Sequence, residues 1–447
     1  MATNTTTQKI LITPIKPALI MGMAQKLPVL IRIQAPDATD TPSKERKPYH
    51  LSLVIDRSGS MSGEPLREAV RCARHIIDRL APTDVASLVV FDDNVKTLAP
   101  AKPVGDRKML HVALAHIHSG GSTNLHGGWQ TGMKEILEDA PQAAMARVIL
   151  LSDGNANVGK TIDTEEIAAL CAEAAKKGVT TSTYGLGRNF NEDLMIEMGR
   201  QGCGNHYYGE TAADLFEPFA EEFDFISNLY ARHVRLSLNV PEGIRLNLLN
   251  DYFVEQQNGI TVVQLPDIPL GAEAWIVAEL EIPSNLAQDS ANILLQASVT
   301  ASTLEGLAID MEDATLKLDA VSTQIWDALL PDELVATRLA ELEASRFLDQ
   351  ARIAAEHGDW QTIQRMITEG QARFATHPWV MEILAGIEEI AQDRDSARFL
   401  KEAKYSSRKM SSRVSGKDEV LSLAFEAQAP AYLRRKSQQG KTQFESK

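Results

Sequence analysis

The chain has 447 residues, 44% hydrophobic and 23% charged, with 45 Lys/Arg against 60 Asp/Glu and so a net charge of 45 − 60 = −15. The composition is ordinary for a globular protein, the length suits two to four domains, and the acidic balance argues against nucleic acid as a partner. Three cysteines, Cys72, Cys171 and Cys203, with no Cys-x-x-Cys pair, argue against a disulfide framework and fit a reducing compartment.

The N-terminus lacks a basic stretch followed by an apolar core. The apolar run Ile10–Met23 is broken by Pro14, Lys16 and Pro17, so neither a signal peptide nor a membrane span is expected, and the reading is cytoplasmic. Two strand-like runs, Ile10–Thr13 and Val29–Ile33, precede a polar, proline-containing linker over 35–47.

From His50 an apolar, β-branched run climbs to Asp56, and Arg57-Ser58-Gly59-Ser60 follows. Asp56, Ser58 and Ser60 alternate just past the strand end, so one loop can turn their oxygens toward a common point. Leu66, Val70, Ala73, Ile76, Ile77 and Leu80 then recur at helical spacing. Val85–Phe91 reads as a strand, and Met109–Ile117 and Leu125–Leu137 as helices around the loop Gly120-Gly121-Ser122-Thr123-Asn124. A second apolar run, Val148–Leu151, ends at Ser152-Asp153-Gly154. Helix 164–177, strand 179–186, helix 192–199, strand 206–208 and helix 214–230 complete an alternation that predicts parallel pairing with right-handed crossovers.

Ligands of open parallel sheets bind at the carboxyl ends of the strands. Asp56, Ser58, Ser60, Thr123 and Asp153 fit one site there, offering oxygen ligands and neither sulfur nor imidazole, the chemistry of Mg²⁺, with Mn²⁺ or Ca²⁺ as substitutes. The local alternative is an ordinary turn whose side chains cap the next helix. No Walker-type phosphate loop and no Gly-x-Gly-x-x-Gly opening a helix after a strand is present.

These elements, in this order, resemble the von Willebrand factor type A (VWA) domain and its metal-ion-dependent adhesion site (MIDAS), over roughly 48–230. The Asp-x-Ser-x-Ser element is Asp56, Ser58 and Ser60, the separate Thr is Thr123 and the separate Asp is Asp153. The resemblance implies a six-stranded, doubly wound Rossmann-like sheet. It also implies that a partner carboxylate fills an open metal position, as in intracellular bacterial multi-domain type A proteins that work beside ATPases or kinase and phosphatase partners.

Beyond Arg232 the pattern changes to short strands: Val234–Val240, Ile260–Leu265, Ala274–Ile282, Ile293–Thr300 and Ala314–Leu318 read as an antiparallel sandwich. Two N-terminal strands cannot form a domain alone. They are expected to join this sandwich, with the type A domain inserted. Residues 322–405 read as a helical hairpin or bundle, with Leu334, Leu339, Leu342, Phe347, Leu348, Ala351 and Ile353 on its buried face and Trp360 and Trp379 in its core. From Ser406 on, nine Lys/Arg against four Asp/Glu give +5, with an apolar island at Val420–Phe425 and a basic cluster at Arg434–Lys436; this reads as a basic, flexible tail. The expected domains are thus 1–47, 48–231, 232–321, 322–405 and 406–447.

The function expected is a metal-dependent protein-binding adaptor and not an enzyme. Two alternatives stand beside it. One is a scaffold with a silent metal site. The other is a metal-dependent hydrolase drawing its base from His126, Asp92 or Asp93.

Overall fold

A computed structural model describes residues 9–37, 48–139, 145–153, 155–186, 191–209, 213–288, 293–303 and 306–417. The opening runs form strands β1 (Lys9–Pro14), β2 (Leu19–Ile20) and β3 (Gln25–Gln34). The alternating segment follows as β4 (Tyr49–Asp56), α1 (Glu64–Arg79), β5 (Val85–Phe91), β6 (Val95–Pro103), α2 (Lys108–Ala115), α3 (Leu125–Asp139) and β7 (Met145–Ser152). It continues as α4 (Thr164–Lys176), β8 (Val179–Leu186), α5 (Glu192–Gln201), β9 (His206–Gly209) and α6 (Ala213–Ser227).

Two units result. One comprises Ser43–Ser227 with Leu304–Gly306; the other comprises Met1–Pro42, Asn228–Thr303 and Leu307–Lys447. In the first, the six-stranded sheet has the order β6-β5-β4-β7-β8-β9, parallel except for β6, which runs antiparallel to β5. This is the doubly wound α/β fold expected. Strand β4 is buried along its whole length because it has sheet neighbours on both edges and helices on its faces. Helix α1 starts with Pro65 in its first turn and lays Leu66, Ala69, Cys72, Ala73, Ile76 and Ile77 inward. Cys72 and Cys171 are fully buried core residues. Strand β6 has no counterpart in the sequence reading. Its lysines and prolines, Lys96, Pro100, Lys102 and Pro103, suit a half-exposed edge and hide it from an apolar pattern.

The second unit continues with β10 (Leu229–Asn239), β11 (Arg245–Leu248), β12 (Phe253–Gln257), β13 (Ile260–Gln264), β14 (Ile268–Pro269), β15 (Ala272–Ile282), β16 (Ile293–Ser302), β17 (Ala308–Ile309), β18 (Ala314–Lys317) and β19 (Ala320–Val321). Tyr230, expected in a helix, lies instead in β10, because the chain leaves α6 at Ser227 and Leu229 and Ala231 pair with β14. One sheet runs β1-β3-β15-β11; the other runs β12-β13-β10-β16-β17, with β18 also on β16. Every residue of β3 from Gln25 to Gln34 pairs antiparallel with β15. The N-terminal strands are therefore part of the sandwich. Val29, Ile31 and Ile33 point into the core between the sheets with Ile276, Ala278, Leu236 and Leu295.

The opposite face of β3 and β15, with Leu30, Trp275 and Val277, packs on Val335 and Leu342 of a helix. That helix is α8 (Glu333–Glu356), which follows the short α7 (Thr323–Ala328) and leads into α9 (Trp360–Arg373), α10 (Pro378–Asp393) and α11 (Ser396–Ser412). Within 322–405 the sequence pattern reads 379–405 as one continuous helix; the chain instead breaks at Arg394, which is left-handed (φ 53°), and Asp395, whose side chain caps α11. Trp379 is buried, and Trp360 packs edge-on against Phe399 at 5.9 Å. Ile353, expected inside, is 53% exposed. The buried face of α8 is taken partly by Arg338 and Glu341, which apolar spacing does not reveal.

Residues 406–417, expected as tail, are helix and strand. Met410 is buried, the Arg413 guanidinium stacks over Trp379 at 4.9 Å, and β20 (Ser415–Gly416) pairs with β15. Of the basic residues that suggested a solvated segment, Arg413 also lies 3.7 Å from the buried Glu341, and Lys417 pairs with Asp37 at 2.7 Å. The rest of the expected tail, 418–447, and the linker over 38–47 lie outside the described residues. Among the described residues no helix is long and apolar enough to cross a membrane.

Candidate metal centre

Strand β4 delivers Asp56 to the carboxyl edge of its sheet, beside the point where the strand order reverses between β4 and β7. The chain turns there through a short 3₁₀ segment, Gly59–Met61, anchored by the buried Met61. The Ser58 amide donates to Asp56 Oδ1 at 2.8 Å, and the Ser58 and Ser60 hydroxyls lie 3.1 Å apart. Asp56 and Ser58 have no exposed surface, whereas Ser60 is exposed at the rim.

The glycine loop before α3 lies against this turn. The Gly59 amide donates to the Gly121 carbonyl at 2.8 Å, and the Gly120 amide donates to the Arg57 carbonyl at 2.7 Å. Side chains are excluded there: a Cβ on Gly120 would stand 1.8 Å from Asp92 Oδ2, and one on Gly121 2.1 Å from Asp93 Oδ1. Thr123 is 1% exposed, and Asn124 begins α3 by accepting the Gly127 amide on its side chain at 3.0 Å. The third contribution follows β7. Asp153 is 6% exposed, accepts the Asn155 amide at 3.2 Å, and its carbonyl takes the Asn191 amide at 2.8 Å.

The five residues singled out in the sequence thus lie at the end of β4 and in the turns that follow β4, precede α3 and follow β7. Ser152, which the sequence reading passed over as the end of a strand, donates its hydroxyl to Asp56 Oδ2 at 2.5 Å. Burial pushes the Asp56 carboxyl up to about 6. The Ser152 and Ser58 hydrogen bonds oppose that rise, and the nearby Asp153 carboxylate adds to it. Among the described residues, the Asp56 carboxylate accepts from the Ser58 amide and the Ser152 hydroxyl and faces the Asp153 charge. The guanidinium of Arg57, the next residue in the chain, pairs with Asp92 at 2.7 Å. A buried carboxylate beside a second carboxylate and two hydroxyls is an all-oxygen, negatively charged donor set, which fits a hard divalent cation. Among the described residues no group of three or more His, Cys, Asp or Glu side chains forms a metal cluster.

The bases considered for hydrolysis are placed differently. Asp92 is held by Arg57 and by the Asn94 amide at 2.7 Å, and Asp93 accepts the Asn94 side chain at 2.9 Å. His126 is 2% exposed, and burial, with Lys160 and Lys134, lowers its basicity.

Residues 50–221 match the von Willebrand factor type A domain model. An uncharacterised protein of Synechocystis is 26% identical over 245 residues, which cover 53% of this chain and 57% of that protein. The Escherichia coli protein YfbK is 27% identical over 40% of this chain and 31% of its own, and human inter-alpha-trypsin inhibitor heavy chain H3 is 25% identical over 48% of this chain and 25% of its own. The chain therefore spans little more than half of the first relative and a third or less of the others. Among solved structures, a von Willebrand factor type A protein from Catenulispora acidiphila aligns with a TM-score of 0.67 at 15% identity over 86% of this chain and 91% of its own. The ArnB paralog VWA2 from Sulfolobus acidocaldarius aligns at 0.59 and 18% identity over 91% of this chain and 99% of its own. At such identities the likeness is one of fold.

Proposed function

Starting from a chain that carries a von Willebrand factor type A domain over residues 50–221, we propose that it is a divalent-metal-dependent protein-binding module, an adaptor or assembly factor and not an enzyme. Asp56, Ser58, Ser60, Thr123 and Asp153 hold the cation, directly or through water. The bound ion supplies a Lewis-acidic position that a partner's Asp or Glu side chain completes. Mg²⁺ is the expected metal, with Mn²⁺ or Ca²⁺ as substitutes. The observation that carries this reading is the buried Asp56 carboxylate beside Asp153, with hydroxyl and amide donors on it from Ser152 and Ser58. The hydrolase alternative has less support, because Asp92 is already paired and His126 is enclosed. The partner classes that the family resemblance brings forward, an ATPase or a kinase and phosphatase system inside the cell, belong to this proposal.

Calorimetric titration with Mg²⁺ and Mn²⁺ tests it. Wild-type protein should bind one divalent ion. Asp56→Ala should abolish that binding with the fold intact, and Ser58→Ala or Thr123→Ala should weaken it by about 10-fold or more, the scale on which even outer partners of a metal count. Partner capture should follow the same order and be lost in chelator and when the partner's acidic side chain is removed. A wild-type protein that takes up no divalent ion, or equal partner affinity with metal and with chelator, would sink the proposal and leave the scaffold reading ahead.

A further inference from the structure

The segment after Asp153 does more than carry that carboxylate. The Thr123 amide donates to Asn157 Oδ1 at 2.7 Å, and the Asn157 amide returns a hydrogen bond to the Thr123 carbonyl at 3.1 Å, which the Val158 amide shares at 3.3 Å. Thr123 is gripped on both sides of its main chain by one residue. Gly159, two positions on, has φ 122°, and a Cβ there would stand 2.3 Å from Asn124 Oδ1, so a bare backbone is needed for the segment to close over Asn124. Asn157 itself is exposed and adds nothing to the core. Its conformation is spent on Thr123.

We propose that Asn157 is a positioning residue: its side-chain carbonyl and its main-chain N–H fix the Thr123 main chain and so set the Thr123 hydroxyl relative to Asp153. The inference rests on the metal reading above. Metal sites depend on the groups that orient their ligands, and loss of such a group typically costs about 10- to 100-fold in affinity.

The test is Mn²⁺ affinity by calorimetry, together with melting temperature in chelator, for the full chain. Asn157→Ala should lower affinity about 10- to 100-fold and leave the melting temperature in chelator unchanged. Asn157→Asp, which keeps an acceptor for the Thr123 amide, should bind at the wild-type level or above. In a Thr123→Ala background, Asn157→Ala should cost nothing further, because a group that acts through Thr123 has nothing left to position. Wild-type affinity in Asn157→Ala overturns this assignment while leaving the metal site standing. Additive losses in the double variant overturn it in favour of a general loosening of the loop. Should the wild type bind no metal, the reading of the site falls first and this inference with it.

Discussion

At the scale of single residues, the α/β unit buries an ion pair: Arg147 on β7, 1% exposed, is paired with Glu222 of α6. Glu222 also accepts from Ser182 at 2.7 Å, Asn205 at 2.6 Å and Tyr207 at 3.0 Å. Burial alone would push its carboxyl up, but Arg147 and these donors outweigh burial and hold it below the ordinary glutamate value of 4.5. A carboxyl that is more acidic when folded stabilises the fold above its unfolded pKa, and that stability is lost as pH falls through the folded value. Unfolding free energy should therefore decline as pH drops below about 4.5, and urea titrations of Glu222→Gln should show a shallower decline; an unchanged slope would assign the acid limb to other carboxylates. Arg147→Met, which strands the carboxylate, should cost about 3–5 kcal/mol. None of this was legible beforehand. Asp56, Ser58, Ser60, Thr123 and Asp153 form an ordered pattern of oxygens at strand ends, whereas Arg147, Ser152 and Asn157 acquire their roles only from neighbours far along the chain.

At the scale of elements, α3 shows packing overriding propensity. Gly127, Gly128 and Gly132 each weaken a helix by about 1 kcal/mol relative to alanine. A Cβ on Gly128 would stand 2.4 Å from Phe91, and one on Gly132 would stand 2.3 Å from Val54 and 2.8 Å from Ser52, all buried sheet residues. The glycines let the helix lie close on β4 and β5. Propensity predicts that Gly132→Ala stabilises by about 1 kcal/mol; overpacking predicts a loss of about 1–3 kcal/mol. The contacts are with fully buried side chains that have little room to move, so a net loss is expected. A raised denaturation midpoint in that variant would contradict it. The helix was legible because its apolar spacing survives the glycines. Strands β6, β11 and β12 were not, since edge strands carry lysine, asparagine and glutamine where central strands carry valine and isoleucine. The break at Arg394 was missed because a charged left-handed residue leaves no glycine to mark it.

At the scale of the molecule, the sandwich unit is joined at a buried charged node. Glu273 of β15 lies 3.5 Å from Arg32 and 3.9 Å from Arg338; Arg338 bonds Glu341 at 2.9 Å and Ser415 at 2.8 Å and stacks over Trp275 at 4.5 Å; Arg413 lies 3.7 Å from Glu341. Four distant stretches, β3, β15, α8 and the segment ending in β20, meet there. Arg338→Met leaves two fully buried glutamates short of a partner and should destabilise this unit by about 3–5 kcal/mol. Hydrogen exchange should show the loss in β3, β15 and α8, with Mn²⁺ affinity unchanged; loosening of β4 and β7 as well would show that the two units do not unfold independently. That the N-terminal strands belong to the sandwich was legible from a negative: two short strands cannot stand alone. The node was not, because apolar periodicity says nothing about which charges will be buried together.

The pairing of β3 with β15 also sets a timetable for synthesis. Gln34 and Glu273, bonded at 2.9 Å, lie 239 residues apart in the chain. At about 5–20 residues per second a ribosome needs roughly 12–50 s to deliver the second after the first. Throughout that interval the β1–β3 hairpin, marginal on its own, carries an open edge rich in leucine, isoleucine and valine. The α/β unit, whose strands all lie within the intervening stretch, can close before the hairpin finds its sheet. Strand β3 therefore waits for β15, and the nascent chain has to be kept from pairing elsewhere until residue 282 has emerged.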